Sequence, residues 1–491
     1  MRILKANENI NYWCTWLSQN KLFEQDALKA EKRPQNTLFE GDQGAKGARD
    51  VLCEKTVFGE NGFASQWNEE IRKSLLLMLD DGWDVDYNKH PDRNLTSFGS
   101  LQLNKQRFPS FKGDNAQRLK QLNDEVKRSG WKGVGLWVAA QPASPTCPTE
   151  YDERTLKEYY AERIKQIRHA GITYLKVDWG KYEHSADFRR LLTELGHELY
   201  PELIIEHANC CPPVNGIMSD GKIRCSDNKA HISLTRKICE FADVFRSYDV
   251  TDDKLSAAST LDRLSEILRC NNGFTNCEDE LLIGAALGCS LGIMRSTYAT
   301  DTDMGKRLNE VTAALRWQQI APPFAGGELH ASNNTLTDEC LFAEGETWYS
   351  PIIGKITKQA APAVMARNTN LPEVTSDTAS PFVIACKHPD CAYSIAAVKR
   401  YKYKNCAFAP SIACNIENAD KIGVFGSFEA VKLIGAKAKL ITVTNLYTNE
   451  SKDVTQNAIF ANGAITLPVK PLNDFLSVND LSQPAFYLAL Q

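Results

Sequence analysis

Acidic side chains follow short apolar runs at four places in this 491-residue chain, and at two of them a tryptophan lies alongside. They are Asp80 and Asp81 in Leu79-Asp80-Asp81-Gly82-Trp83, Asp178 in Leu175-Lys176-Val177-Asp178-Trp179, Glu206 after Leu203–Ile205, and Asp249 in Arg246-Ser247-Tyr248-Asp249. A pair of carboxyl groups, one ionised and one protonated, is the equipment for cleaving a glycosidic bond. Indole faces beside such acids suit a sugar ring, whose C–H face is apolar and whose rim carries hydroxyls. Any one aspartate after a strand has a plainer reading as the cap of the following helix. Several acids in register at strand ends, two with indoles alongside, outweigh it. Lys176 sits two residues before Asp178, hence on the same strand face, where its charge favours an ionised Asp178.

The elements that must position these acids follow from periodicity. Provisional strands are 12–17, 74–79 (SLLLML), 134–139 (VGLWVA), 172–177 (ITYLKV), 203–205, 244–248, a short piece at 272–275 and 291–295. Helical spacing marks 115–128, 152–170, 186–199 and 303–317, with Gly171 placed to stop the second of these helices in a left-handed conformation. Strands apolar on both faces and alternating with helices predict an α/β fold, a (β/α)8 TIM barrel with its site at the C-terminal strand ends. After Pro322–Pro323 the pattern turns to β-branched runs such as PFVIAC, YSIAAVKRY and KLITVTNLY, which predict a C-terminal antiparallel β-sandwich. The expected division is a barrel over 1–330, with an insertion at about 18–60 that reads as loop, and a sandwich over 331–491.

Composition bounds the partners. The net charge of −4, with basic residues scattered, offers no stripe for nucleic acid. No apolar run is long enough to cross a bilayer, so no membrane partner is expected. The histidines lack metal-ligand spacing and no phosphate-binding glycine motif follows a strand, so neither metal nor other cofactor is expected. The 15 cysteines read mostly as free thiols of a reducing, cytoplasmic compartment, since the polar stretch after Lys5 lacks the apolar run of a secretory signal.

Taken in order, Trp13-Cys14-Thr15-Trp16, Leu79-Asp80-Asp81-Gly82-Trp83, Gly135-Leu136-Trp137, Tyr174-Leu175-Lys176-Val177-Asp178, Ile205-Glu206-His207 and Phe245-Arg246-Ser247-Tyr248-Asp249 resemble the α-galactosidase and melibiase-like families of retaining glycosidases. The resemblance covers the whole barrel. It implies that Asp178 is the nucleophile, that Asp80 and Asp81 bind the hydroxyls at C4 and C6, and that Lys176 binds those at C3 and C4. Glu206 and Arg246 would contact the C2 region, with Trp16, Trp83 and Trp137 walling the pocket. The general acid departs from the family pattern, because R-x-x-x-D is shortened here by one residue between Arg246 and Asp249. A sister family places its acid in a motif like Cys225-Ser226-Asp227-Asn228. Asp249 is preferred over Asp227, since the segment 208–221 cannot form the crossover helix that placing Asp227 on strand six would need. The expected ligand is a carbohydrate: an α-galactoside, or another sugar of that stereochemistry such as a β-L-arabinopyranoside or an α-N-acetylgalactosaminide. A non-catalytic sugar-binding barrel is the reading from another class.

Overall fold

The structure, a computed structural model, describes residues 11–29, 42–84, 98–143, 146–208, 234, 237–238, 240–246, 257–260, 281–286, 288, 290–298, 307–323, 348–350, 354–356, 374–376, 384–388, 391–397, 411–416, 418–478 and 482–491. Eight strands form the first sheet: β1 Asn11–Cys14, β2 Leu75–Leu79, β3 Val134–Val138, β4 Tyr174–Val177, β5 Ile204–Ala208, β6 Val244–Arg246, β7 Ala257–Thr260 and β8 Ser290–Ile293. They pair in the order β6-β5-β4-β3-β2-β1-β8-β7, and β7 also lies against β6, so the sheet curls back on itself as a barrel.

Strand parity sorts the residues into two layers. Leu75, Leu77, Leu79, Leu136, Val138, Leu175 and Val177 face outward into the core shared with the helices. Tyr12, Cys14, Leu76, Met78, Tyr174, Ile204 and Met294 fill the interior. The helices Asn115–Arg128 and Ala186–Leu199 have the expected bounds, because each begins at a residue whose side chain caps it: Asp114, in a capping box with Gln117, and Ser185. Glu153–His169 starts after Asp152, which caps Arg154 and Thr155, and Gly171 follows it at φ +64° as expected.

The barrel departs from a uniform parallel ring at β7, which runs antiparallel to β8. The link from Arg246 to Ala257 is shorter than the roughly dozen residues a parallel crossover takes, so the chain returns in the opposite direction. The stretch 272–275, expected as the seventh strand, lies outside the described residues, while Ala257–Thr260 supplies the strand. Two further bounds are corrected. β1 ends at Cys14 and a helix opens at Trp16, with Gln19 N–H donating to Thr15 O at 2.7 Å in its first turn. β5 extends to Ala208 rather than stopping at 205, so Glu206 lies within the strand and not at its end.

The insertion after β1 is helical where described, with Trp16–Lys29, Asp42–Val51 and Glu54–Phe58 in place of a loop. Gln19 holds it to the barrel, its amide donating to Ala48 O (3.1 Å) and Asp81 O (3.0 Å).

The C-terminal region forms a β-sandwich. One sheet contains Val374–Ser376, Ser411–Asn415, Ala430–Ile434, Ala464–Pro468 and Ile459–Ala461; the other contains Ile384–Lys387, Tyr393–Ala397, Lys421–Gly426, Ala485–Leu490, Ile441–Asn445 and Ser451–Asp453. Ile412, Val431 and Leu467 of the first meet Ile395, Val424 and Leu488 of the second in one core. The sheets are mixed rather than purely antiparallel, because Tyr393–Ala397 runs parallel to Lys421–Gly426 and Ser411–Asn415 parallel to Ala430–Ile434. Between 393 and 434 the chain alternates sheets, and each strand returns to its own sheet through the other in the same direction. Trp317, on the helix Asn309–Ile320, joins barrel to sandwich, meeting Phe425 at 5.9 Å and His388 at 5.5 Å between ring centres. Burying roughly 200 Å² of indole stabilises by about 5 kcal/mol, shared between the barrel layer that carries Trp317 and this joint. No helix among the described residues is long and apolar enough to cross a membrane.

Candidate active site

Inward parity on adjacent strands brings Asp80, Trp137, Lys176 and Glu206 to one level of the barrel. The register pairs Trp137 with Lys176 and Lys176 with Glu206, while Asp80 follows Leu79, the partner of Leu136. Asp178 stands one inward step higher, at the C-terminal end of β4.

Lys176 Nζ lies 2.6 Å from Asp80 Oδ2 and 3.9 Å from Asp178 Oδ2, with all three groups buried. The Trp137 indole N–H donates to Asp178 Oδ2 at 3.1 Å. A cation and an N–H donor together favour the ionised carboxylate that a nucleophile requires. Asp80 is further fixed by Cys14, whose thiol donates to Oδ2 at 2.9 Å, and by Asp81 N–H, which donates to Oδ1 at 2.8 Å. Burial, and after it the charge of this same acid neighbour, pushes the Cys14 thiol well above its usual range, so it stays protonated and donating.

Glu206 is wholly buried and accepts hydrogen bonds from the Tyr12 hydroxyl (3.2 Å) and the Tyr174 hydroxyl (2.7 Å), both inward residues from the layer below. Its neighbour His207 faces outward to the helix Ala186–Leu199. There Arg189 Nη1 meets His207 Nδ1 at 3.2 Å and Thr193 Oγ1 meets Nε2 at 2.7 Å. A guanidinium only donates, so Nδ1 accepts and Nε2 carries the proton. Burial and the Arg189 charge hold this imidazole neutral, well below its usual range. Arg189 also donates to the carbonyls of Val177 (3.2 Å) and Asp178 (2.9 Å), bracing the strand end that carries Asp178.

Asp81 turns the other way from Asp80. Its Oδ2 takes the Arg49 Nε–H at 2.6 Å, and burial pushes its carboxyl up to about 7 against the pull of that guanidinium. Asp84 is also raised by burial, to about 6, although Leu101 N–H and the Ser100 hydroxyl bond to it. Above them Trp137, Trp179 and Phe98 form a row, with ring centres 5.4 Å and 4.8 Å apart. The Arg49 guanidinium lies over Phe98 at 4.7 Å and Trp179 at 5.3 Å.

Among the aromatic residues expected to wall a pocket, Trp16 is half-buried and borders the barrel interior. Trp83 does not join it. It lies fully enclosed in the outer core, its indole N–H donating to Trp137 O at 2.8 Å, because Gly82 at φ +120° turns the chain away from the interior after Asp81. That makes Trp83 a support for Trp137. Arg246 is placed by its backbone at the end of β6, opposite Ala208. Asp249 and Asp227, the two candidate acids, lie outside the described residues.

Sequence reasoning gave no site role to Arg49, Cys14 and Phe98, and noted Trp179 only as the indole beside Asp178. Trp179 carries a signal, since it follows Asp178 directly. Strand parity points it outward, but β4 ends at Val177 and Gly180 at φ +149° reverses the chain. Cys14 lies on the inward parity of β1 with Tyr12. Arg49 has no local signal, because its place depends on how the inserted helix packs. Among the described residues no cluster has the makings of a metal site.

No protein-family model matches the sequence, and no curated protein sequence matches it at a significant level. Solved structures to which the chain is similar include a GH27 β-L-arabinopyranosidase from Geobacillus stearothermophilus, at 12% identity and TM-score 0.39, over 90% of this chain and 94% of that one. A putative α-N-acetylgalactosaminidase from Bacillus halodurans is similar at 10% identity and TM-score 0.37, over 87% and 93% of the two chains. An Anoxybacillus α-amylase is similar at 9% identity and TM-score 0.40, over 99% of each. At these scores the likeness bears on neither substrate nor mechanism, and the fold rests on the strand order and register given above.

Proposed function

We propose that this chain is a retaining glycoside hydrolase acting on a galacto-configured pyranoside, most directly a terminal α-galactoside. The observation that carries the reading is the buried row Asp80, Lys176 and Asp178, with the Trp137 N–H on Asp178, at the C-terminal end of a barrel. Asp178 attacks the anomeric carbon while Asp249, or Asp227 in its place, gives its proton to the departing glycosidic oxygen. The same acid then takes a proton from water, whose oxygen displaces Asp178 from the sugar. Retention requires the acid within roughly 5–5.5 Å of Asp178. Asp80 and Lys176, as a rigid acceptor and donor pair, suit two neighbouring ring hydroxyls, and the half-buried Trp16 and Trp179 suit the apolar ring face.

Arg49 favours a second reading. Its bulky side chain lies beside Asp81, where the resemblance would place the C6 hydroxyl, and a β-L-arabinopyranoside has the same ring stereochemistry with no C6 arm.

The test is release of p-nitrophenol from a panel of glycosides by wild type, Asp178→Asn, Asp249→Asn and Asp227→Asn. Turnover of the α-galactoside or β-L-arabinopyranoside that disappears in Asp178→Asn and in one other variant supports the reading and identifies the acid. No turnover of any glycoside, with binding of the free sugar retained, favours a sugar-binding barrel instead.

A further inference from the structure

On the helix Asp42–Val51, Arg49 meets the acid Asp81 at the barrel mouth, and several independent contacts hold it there. Gln19, wholly buried and itself bonded by the Thr15 hydroxyl at 2.6 Å, ties this helix to Asp81 by donating to the carbonyls of both Ala48 and Asp81. Arg107 donates to the Arg49 carbonyl and lies 2.7 Å from Asp50. Gly82 leaves the room this approach needs, since a Cβ there would come 2.8 Å from Arg49 O and 2.9 Å from its Cα. Phe98 and Trp179 then present ring faces to the guanidinium.

The carboxyl that Arg49 meets is divided between two tasks. Asp81 Oδ2 is engaged by Arg49, while the buried Oδ1 accepts no hydrogen bond among the described residues. A buried carboxylate oxygen without a donor costs free energy unless a ligand supplies one.

We propose that Arg49 is a positioning residue, delivered by the inserted helix, which fixes Asp81 with Oδ1 open to accept a ring hydroxyl of the bound sugar. The proposal rests on the glycosidase reading. Facing Asp81 are Asp80 and Asp84 from its own segment and Arg49 from the helix, with Lys176 of β4 reaching it only through Asp80. Burial and the two acids oppose the charged form while the Arg49 charge and hydrogen bond favour it, so Arg49 raises the ionised share of Asp81 at neutral pH.

The test compares wild type, Arg49→Gln, Arg49→Lys, Asp81→Asn and the Arg49→Gln/Asp81→Asn double variant, each first checked for a native near-ultraviolet circular dichroism spectrum. KM and kcat for p-nitrophenyl α-D-galactopyranoside and β-L-arabinopyranoside are measured across the neutral range. Arg49→Gln should raise KM roughly tenfold with kcat within about threefold, the loss of one charge-assisted hydrogen bond felt in binding. The pH below which KM worsens should move upward, Arg49→Lys should recover part of the loss, and Arg49→Gln should add nothing to Asp81→Asn. Equal effects of Arg49→Gln with and without Asp81, or a KM profile parallel to wild type, overturn the proposal. Infrared titration of Asp81, identified as the band lost in Asp81→Asn, gives a readout independent of turnover. A midpoint unchanged in Arg49→Gln defeats the pairing whatever the activity. A raised midpoint in a protein that cleaves no glycoside leaves the pairing standing and defeats the glycosidase reading.

Discussion

Replacing Lys176 by methionine removes the cation from the most enclosed part of the site and leaves a methylene stem of similar volume. The Lys176–Asp80 pair is 2.6 Å apart with side-chain exposures of 1% and 4%, so water does not screen it. At an effective dielectric constant of about 20 the attraction at that distance is roughly 6 kcal/mol, against which stands the cost of desolvating both ions. Removing one partner loses the attraction and keeps the other ion's desolvation, so Lys176→Met should destabilise by about 3–5 kcal/mol. Asp80 would retain only weaker support from the Cys14 thiol and the Asp81 N–H. Asp80→Asn removes the stranded charge, and the double variant should be more stable than the sum of the single losses predicts, by about 2–3 kcal/mol. Urea unfolding of the four proteins, followed by far-ultraviolet circular dichroism and tryptophan fluorescence, measures the cycle. A loss below about 1 kcal/mol for Lys176→Met, the size found for exposed pairs, or strict additivity in the double variant, would refute the argument that these groups form one buried electrostatic unit.

Trp137→Phe keeps an aromatic ring but removes the N–H that reaches Asp178 at 3.1 Å; losing a hydrogen bond to a charged group costs about 1.5–3 kcal/mol, so kcat/KM should fall roughly tenfold to hundredfold, and a fall below threefold counts against Asp178 as the reacting group. Asp81 and Asp84 are pushed up to about 7 and about 6, so between neutral pH and about pH 4 the native state binds protons that the unfolded chain does not. Their ionisation therefore costs stability that is regained as pH falls through this window, on the order of 4 kcal/mol for Asp81, and Asp81→Asn should flatten that rise in a pH series of urea midpoints. His207 acts oppositely: its depressed value withdraws stability as pH falls below about 6.5, so His207→Gln should steepen the same rise. Glu310 is wholly buried between Arg295 (2.9 Å) and Arg307 (2.9 Å) and also accepts from Gln483 N–H, so Glu310→Leu should cost about 3–5 kcal/mol by stranding two buried guanidinium groups, read as a lowered urea midpoint.

The elements legible in the sequence are those whose signals are local. SLLLML, VGLWVA and ITYLKV are continuous apolar runs, and the helices Asn115–Arg128 and Ala186–Leu199 announce themselves by caps and apolar spacing. The inward parity of Asp80, Trp137, Lys176 and Asp178 follows from period two along three such strands, and their side chains do meet. Glu206 reads from the sequence as a strand-end residue because two polar residues, Glu206 and His207, look like a loop, whereas Tyr12 and Tyr174 satisfy one and Arg189 and Thr193 the other within the strand. β7 was illegible because Ala257–Thr260 is small and polar, with its partner β8 some thirty residues on. The inserted helix reads as loop for a similar reason. What holds Arg49 is Gln19, Arg107, Gly82, Phe98 and Trp179, contacts drawn from distant parts of the chain.

The central claim is that Asp178 is a nucleophile, and the most direct test is mass spectrometry of the intact protein and its peptides after incubation with 5-fluoro-α-D-galactopyranosyl fluoride and 5-fluoro-β-L-arabinopyranosyl fluoride. A retaining mechanism predicts a covalent glycosyl adduct on the peptide carrying Asp178, absent in Asp178→Asn; an unmodified protein that still turns over a glycoside, or an adduct on another carboxylate, would contradict it.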